Sequence, residues 1–349
     1  MQKTKSLPFA AVASALVLFS ACSRHDNNES DSPGQSPAKT IRLTYSVFFP
    51  PTHFNAILAS EWAKDIEKRT DNAVKIDIFA AGSLTKPDLC YQGVVDGVSD
   101  IGMSCLAYTR GRFPVLEGLD LPVGYPDGKT ATRVANQLLA KYRDDLKEIG
   151  ETHFLYLHAH GPGVLASKKP IQSLDGMKGL KTRATGLSAA IVTALGGNPV
   201  AMSQAETYDA LQKGVVEATL CPIETLEGWR QGEVIASVTE VPAIGYTTAM
   251  FVTINKKTWA KLPENVRKVI TEVSAEYVEK HAQAWDVADD KGRDLVTRLG
   301  HTIITLSPEE NIEWAEKTRP ILDDYVSKTE EKGLPGKRFL EDLQSALRR

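Results

Sequence analysis

The feature of this sequence that most constrains its fold is the alternation of strand and helix patterns along residues 41–104. Each pattern is bounded by turn-forming residues. The strand patterns lie at residues 41–46, 74–79 and 100–104, and the helix patterns at residues 55–69 and 87–96. This order is typical of an open sheet with helices on both faces. Ligands bind such sheets beyond the carboxyl ends of the strands, where Phe48, His53 and Tyr108 fall.

A second informative stretch runs from Lys178 to Ile223 and reads as strand, turn, helix, short strand, helix and strand. Ser203, followed three residues later by Glu206, predicts a capping box at the start of its second helix. Arg183 ends the first strand of the stretch. An arginine there can present its planar fork to a carboxylate in two parallel hydrogen bonds. The alternatives are a surface arginine or a structural ion pair.

Three motifs in this stretch carry a resemblance to a known family. They are KTRATG at 181–186, LGGNPVAM at 195–202 and ETYDALQKGVVE at 206–217. Together they resemble the signature segment of the extracytoplasmic solute-binding proteins of tripartite ATP-independent periplasmic (TRAP) transporters. The resemblance extends from about residue 41 to the C-terminal helices. It implies that Arg183 binds the carboxylate of an organic acid, that the partners are the membrane subunits of a TRAP-type permease, and that no cofactor is needed.

Two departures from the family pattern leave individual contacts open. Cys221 and Pro222 stand where many relatives have Asn-Pro, and Phe54 follows His53 where many have proline. Ligand contacts from Cys221 and His53 are therefore expectations that depend on the pocket geometry.

The whole chain is expected to form an α/β, two-lobed periplasmic-binding-protein fold, with two open mixed sheets flanked by helices and joined by crossover strands. An apolar stripe predicts a helix at about 264–299, which at 1.5 Å per residue would be about 50 Å long and would span both lobes. The predicted boundaries are 41–158 and 249–285 for lobe I, and 159–248 and 286–349 for lobe II.

The N-terminus is typical of an exported protein. Lys3 and Lys5 precede an apolar run at 7–19, and Ser20-Ala21 leads into Cys22, as in a signal peptide that ends in a lipobox. Ordinary cleavage near Ala21 is the alternative. Residues 23–40 contain no core-forming side chains and predict a disordered tether. The predicted location is the periplasm or cell surface of a bacterium, with a lipid anchor on Cys22 as the only membrane attachment.

Other function classes are disfavoured. A formal net charge of −3 offers no basic face for nucleic acid. No nucleophile elbow or acid–base pair has a recognisable spacing, which argues against an enzyme. His158 and His160 share a strand face without further ligands of metal-binding spacing, so no metal site is predicted. Cys90 and Cys105 are either a disulfide or buried free thiols. An ATP-binding-cassette type receptor and a ligand sensor for a signalling system remain alternatives.

The residues expected around Arg183 favour one class of ligand. Gln204 supplies a single amide, and the expected walls are aromatic: Tyr45, Phe48, Phe49, Tyr108 and Trp229. Hydroxyl groups buried without partners cost ~1–3 kcal/mol each. The cleft is therefore predicted to take a monocarboxylate or 2-oxo acid with an apolar or aromatic body rather than a polyhydroxylated acid.

Overall fold

The computed structural model describes residues 40–348, whose strands form two mixed sheets. The predicted signal peptide, Cys22 and the tether up to residue 39 lie outside these residues. The strands are β1 (Ile41–Val47), β2 (Val74–Phe79), β3 (Ile101–Cys105), β4 (Thr152–Ala159), β5 (Val164–Ser167), β6 (Lys181–Arg183), β7 (Asn198–Val200), β8 (Ala218–Cys221), β9 (Ser237–Glu240), β10 (Ala249–Asn255) and β11 (Thr302–Thr305). The α-helices are α1 (Phe54–Arg69), α2 (Cys90–Asp96), α3 (Gly128–Tyr142), α4 (Leu174–Met177), α5 (Leu187–Ala194), α6 (Gln204–Gln212), α7 (Thr225–Gly228), α8 (Lys256–Lys261), α9 (Glu264–Arg298), α10 (Pro308–Thr318), α11 (Pro320–Glu330) and α12 (Gly336–Leu347).

The first sheet has the strand order β2-β1-β3-β10-β4, and we call the part of the fold around it the first lobe. Strands β1, β2 and β3 run parallel, as the alternation with α1 and α2 predicts. Strand β10 runs antiparallel between β3 and β4. Because β10 lies far along the chain, the chain leaves this sheet after β4 and returns to it.

The second sheet has the order β11-β9-β5-β8-β6-β7, and the part of the fold around it is the second lobe. Strand β5 is antiparallel to both β8 and β9, while β6 runs parallel to β7 and β8. The chain crosses between the sheets from β4 to β5 and again from β9 to β10. The predicted fold, two mixed sheets flanked by helices with crossover strands, is confirmed.

Helix α9 spans both lobes. It has 35 residues, so it is about 50 Å long. It packs against α1 and α3 on the first lobe and against α7 and β11 on the second. Its apolar stripe is buried from Val266 to Val296 and includes Trp285. No helix within residues 40–348 is long and apolar enough to cross a membrane.

The structure differs from the sequence patterns at three places. The pattern at residues 128–149 predicts one helix, but α3 ends at Tyr142 and a short 3₁₀ turn follows at Lys147–Ile149. The pattern at residues 308–325 also predicts one helix, but the structure has two, because Pro320 lacks the N–H that would continue α10 and instead starts α11. Strand β11 has no counterpart in the sequence prediction.

The cysteine pair is also corrected. Cys90 and Cys105 are buried free thiols and not a disulfide. Cys90 begins α2, which packs over Gly102, and Ser104 Oγ on the same face of β3 donates to the carbonyl of Pro87 at 2.7 Å. Side chains alternate along a strand, so Cys105 points to the other face of the sheet. The sheet therefore separates the two sulfur atoms.

Candidate ligand-binding site

A cavity lies between the two lobes. The space among its lining atoms, open solvent included, is about 410 Å³, but the volume free for the centres of water molecules is only about 30 Å³. The cavity is therefore nearly closed in this conformation. Both lobes supply its walls from strand ends and the loops that follow them. The lining side chains are Phe48, Phe49, Cys105, Tyr108, His160, Arg183, Thr185, Ser188, Gln204, Pro222, Glu224, Thr225, Trp229, Tyr246, Thr248, Met250 and Trp285.

Arg183 places a positive charge at the wall of the cavity. It ends the short strand β6, and its side chain is only 4% exposed. Its Nε donates to the carbonyl of Met202 at 3.0 Å, while Nη1 and Nη2 make only long contacts of 3.5 Å to Leu220 O and Tyr108 Oη. Among residues 40–348 no carboxylate forms an ion pair with this guanidinium. The two outer nitrogens can therefore still take an anion, and a buried charge without one is costly.

Tyr108 joins the two lobes beside this arginine. It follows β3 in the first lobe, and its Oη accepts a hydrogen bond at 3.0 Å from the backbone N–H of Gln204, the first residue of α6 in the second. Burial raises the pKa of Tyr108 above its usual range, so the hydroxyl keeps its proton. Since the oxygen already accepts from Gln204, the proton is free to be donated to a ligand.

The predicted capping box fixes the position of Gln204 at the start of α6. Ser203 and Glu206 exchange the reciprocal bonds expected of that motif, which fixes the start of α6 against the cavity. The side-chain Oε1 of Gln204 accepts from Gln231 Nε2 at 2.9 Å. Gln204 therefore lines the cavity with an amide whose oxygen is already bonded.

Aromatic rings form the opposite wall. Phe48 stacks on Trp229 with ring centres 6.0 Å apart and an interplanar angle of 19°, and it meets Tyr108 edge-on at 5.6 Å. Phe49 packs beside Phe48 and lies 5.9 Å from Trp229. Phe48 and Phe49 follow β1 in the first lobe, whereas Trp229 follows α7 in the second. These rings give an apolar surface that can enclose a flat ligand body.

His160 and Tyr246 complete the cavity from the crossover segments. The two rings meet edge-on with centres 5.6 Å apart. Burial, with the nearby charge of Arg183, lowers the pKa of His160 to about 4, so the ring is neutral at pH 7. Its Nδ1 contacts the carbonyl of Gly161. The cavity therefore has one cationic group, Arg183, at neutral pH.

A buried contact between a histidine and a glutamate closes the space next to Trp229. His53 Nε2 and Glu224 Oε1 lie 2.6 Å apart, and their side chains are 0% and 3% exposed. His53 Nδ1 accepts from the backbone N–H of Asn55 at 3.2 Å, which leaves the ring proton on Nε2, facing the carboxylate. The angle at the contact departs from that of a regular hydrogen bond. The pair joins the start of α1 in the first lobe to the segment after β8 in the second.

The structure brings together most of the predicted site residues and corrects three. Arg183, Gln204, Phe48, Tyr108 and Trp229 line one cavity. The corrected residues are Tyr45, Cys221 and His53. Tyr45 points into the core of the first lobe and packs edge-on against Trp62 at 5.6 Å. Cys221 points into the core of the second lobe, where it lies opposite Val164 on the neighbouring strand. His53 lies outside the cavity, paired with Glu224.

Sequence analysis missed other lining residues because they lie far apart in the chain. Thr248 and Met250 come from the segment that returns to the first sheet, and Ser188 comes from the first turn of α5. The insertion of β10 between β3 and β4 could not be read from local patterns. Within the described part of the chain, no group of three His, Cys, Asp or Glu side chains is placed to hold a metal ion.

Comparisons with known proteins agree with this geometry. Residues 45–329 match the family model described as bacterial extracellular solute-binding protein, family 7. The chain is 25% identical to the outer membrane transporter protein TsaT of Comamonas testosteroni over 310 residues, which is 88% of this chain and 91% of that protein.

Solved structures extend the comparison to the fold. A TRAP solute-binding protein from Rhodoferax ferrireducens T118, in complex with copurified benzoate, superposes with a TM-score of 0.83 at 26% identity, over 88% of this chain and 98% of that one. A marine metagenome TRAP solute-binding protein described as specific for aromatic acid ligands gives the same TM-score and coverage at 25% identity. The chain belongs to the family 7 bacterial extracellular solute-binding proteins, the periplasmic solute receptors of TRAP transporters.

Proposed function

We propose that this protein captures an aromatic or similarly apolar monocarboxylate, including a 2-oxo acid, by pairing its carboxylate with Arg183, and that it delivers the acid to the membrane subunits of a TRAP-type permease. The observation that carries the proposal is the buried guanidinium of Arg183, which faces the cavity and has no carboxylate partner among residues 40–348. A ligand carboxylate would neutralise this charge and accept hydrogen bonds from both outer nitrogens.

The hydrogen-bonding state of the cavity supports an apolar ligand body. Ser188 Oγ donates to Thr185 O at 2.6 Å, and Thr225 Oγ1 donates to Pro222 O at 2.9 Å. These two hydroxyls are already bonded within the protein and are not free to donate to a ligand. The donors left in the lining are the hydroxyls of Tyr108, Thr185, Tyr246 and Thr248 and the amide of Gln204, which suits a ligand with a few polar groups on an otherwise apolar body. Similar proteins bind benzoate and other aromatic acids, which fits this composition.

We also propose that the two lobes, with the boundaries predicted from the sequence, close on the ligand. The contacts from Tyr108 to Gln204 and from His53 to Glu224 join the lobes, and they would have to open for a ligand to enter. The ligand would therefore select a closed state that exists without it.

We also propose that the chain is exported and that acylated Cys22 anchors it. Incorporation of a labelled fatty acid by the intact chain but not by Cys22→Ala tests this anchor.

Titration calorimetry tests the proposed ligand class. The probes are benzoate, phenylpyruvate, a branched-chain 2-oxo acid and D-glucuronate. We expect the aryl and apolar acids to bind and D-glucuronate to bind more weakly. Arg183→Ala should lose ~2–5 kcal/mol of binding free energy, and Arg183→Lys should recover only part of that loss because its ammonium lacks the fork.

A matched control is Arg143→Ala. Arg143 is half-buried outside the cavity and donates to Phe154 O at 3.2 Å. It should leave affinity unchanged. Native affinity in Arg183→Ala, or tighter binding of D-glucuronate than of benzoate, would contradict the proposal.

A further inference from the structure

A large open groove adjoins the cavity and shares one wall with it. About 2020 Å³ of space lies within the groove, and that figure includes open solvent. The residues that line both spaces are Phe48, Gln204, Glu224 and Trp229. The groove therefore begins on the outer side of the same residues that close the cavity.

Trp229 is the main element of this shared wall. It is half-buried, so one part of the indole faces the cavity and another the groove. Phe48, Phe49 and His53 of the first lobe hold the ring with centre distances of 6.0, 5.9 and 5.7 Å. Its backbone N–H donates to Thr225 O at 3.2 Å at the end of α7. The indole thus lies across the boundary between the lobes.

The pair of His53 and Glu224 closes the wall beside the indole. Close approach of α7 makes this possible. A Cβ atom built on Gly228 would collide with Glu224 Oε1 and would lie 3.0 Å from His53 Cδ2. A glycine at this position leaves room under the helix for the contact between His53 and Glu224. The wall therefore consists of the Trp229 indole and the contact of His53 with Glu224, and both join the two lobes.

The groove has apolar side chains that an apolar part of a ligand could contact. Ile57 on α1 and Val287 on α9 line it and are 46% and 54% exposed. Leu58 and Ala284 lie beside them. An apolar extension that entered the groove would cover these side chains and remove their surface from water.

Two side chains separate Trp229 from Arg183. Arg183 Nη2 contacts Tyr108 Oη at 3.5 Å, the Tyr108 ring meets Phe48 at 5.6 Å, and Phe48 stacks on Trp229 at 6.0 Å. Trp229 therefore closes the cavity at a distance from the guanidinium. An acid that is held at Arg183 and is long enough to reach the indole would have to displace it.

From this geometry we infer that Trp229 is a lid that sets the upper length of the ligand, and that removing its indole joins the cavity to the groove. The inference rests on the proposed function for its ligand class, an acid anchored at Arg183. It adds a specificity-determining role for Trp229 and assigns the groove to the tail of longer acids.

The first test compares the affinities of benzoate and biphenyl-4-carboxylate by calorimetry. We expect the wild-type protein to favour benzoate by at least about tenfold, and Trp229→Ala to reverse the preference. Trp229→Phe should keep the wild-type preference, since a ring still covers the opening. The control is Trp259→Ala, which removes a half-buried indole that stacks on His153 away from the cavity. An unchanged preference in Trp229→Ala overturns the inference.

The second test needs no ligand. Cys105 lines the cavity, whereas Cys90 and Cys221 are buried elsewhere. Methyl methanethiosulfonate, with the labelled cysteine located by peptide mass spectrometry, should modify Cys105 at least about tenfold faster in Trp229→Ala than in the wild type, while Cys90 and Cys221 keep their rates. Equal modification rates for Cys105 in both proteins, or an equal rise in the rates of all three thiols, would refute the proposal that Trp229 is a lid.

The two tests separate the lid from the function. If the wild type bound neither acid, the proposed function would fail, and the thiol rates alone would decide whether Trp229 covers the cavity. If both acids bound through Arg183 without a change of preference in Trp229→Ala, the proposed function would stand and the lid would be refuted.

Discussion

Replacing Arg183 by methionine should stabilise the ligand-free protein. The guanidinium is nearly fully buried and lacks a carboxylate partner among the described residues. The effective penalty of burying such an ion is several kcal/mol, and replacing buried ionic groups by apolar ones of similar volume is often neutral or stabilising by ~1–4 kcal/mol. That range is already net of the bonds lost with the ion. Losing the 3.0 Å bond from Nε to Met202 O places the gain near the lower end of the range, while the two 3.5 Å contacts contribute little.

We therefore expect Arg183→Met to stabilise the ligand-free protein by roughly 1 kcal/mol, because methionine fills a similar length without a charge. Denaturant unfolding after refolding from guanidinium, which removes any copurified acid, measures the free energy of unfolding. Arg143→Met is the control, since Arg143 is only half-buried. A decrease of more than about 1 kcal/mol in Arg183→Met would refute the reasoning, because it would mean that the protein already neutralises the arginine.

Four further outcomes are expected. Burial and the charge of Glu224 raise the pKa of Asp289 to about 8, so the free energy of unfolding should fall as pH rises from about 4 to 8. The fall should be at most ~1.4 kcal/mol for each pH step of about one within that window. Urea titrations at each pH measure this fall, and Asp289→Asn should remove it. Unreduced protein should show Cys90 and Cys105 as free thiols by mass spectrometry, and a disulfide-linked peptide would contradict the structure. Tyr108→Phe should weaken benzoate binding by ~1–3 kcal/mol, because the N–H of Gln204 loses its acceptor in the closed state, and unchanged calorimetric affinity would argue against that contact. Saturating benzoate should lower the radius of gyration in small-angle scattering, and an unchanged radius would count against closure.

Local sequence patterns predicted most of the first lobe. Strands β1 to β3 alternate with α1 and α2, and turn residues bound each element. The hydrophobic periodicity and the turn residues therefore predict the same elements. The long apolar stripe predicted α9, and Ser203 with Glu206 predicted the start of α6. These features depend on neighbours within a few residues, which is why sequence alone could give them.

The facing of individual side chains could not be predicted in the same way. Tyr45 and Cys221 lie on strands near the cavity, but strand alternation leaves open which face looks to the cleft, and both point into cores. His53 is expected at the ligand because it lies in the loop beyond the first strand, but its partner in the structure is Glu224 of the other lobe. Such contacts depend on how the lobes meet, and no local pattern records that.

The most direct test of the central claim measures the coupling between Arg183 and the ligand carboxylate. Calorimetry would give the affinities of benzoate and of its neutral counterpart benzamide for the wild type and for Arg183→Met. The account predicts that benzoate loses ~2–5 kcal/mol more than benzamide on substitution, because only the carboxylate pairs with the guanidinium. Equal losses for both ligands, or no loss of benzoate binding, would contradict it.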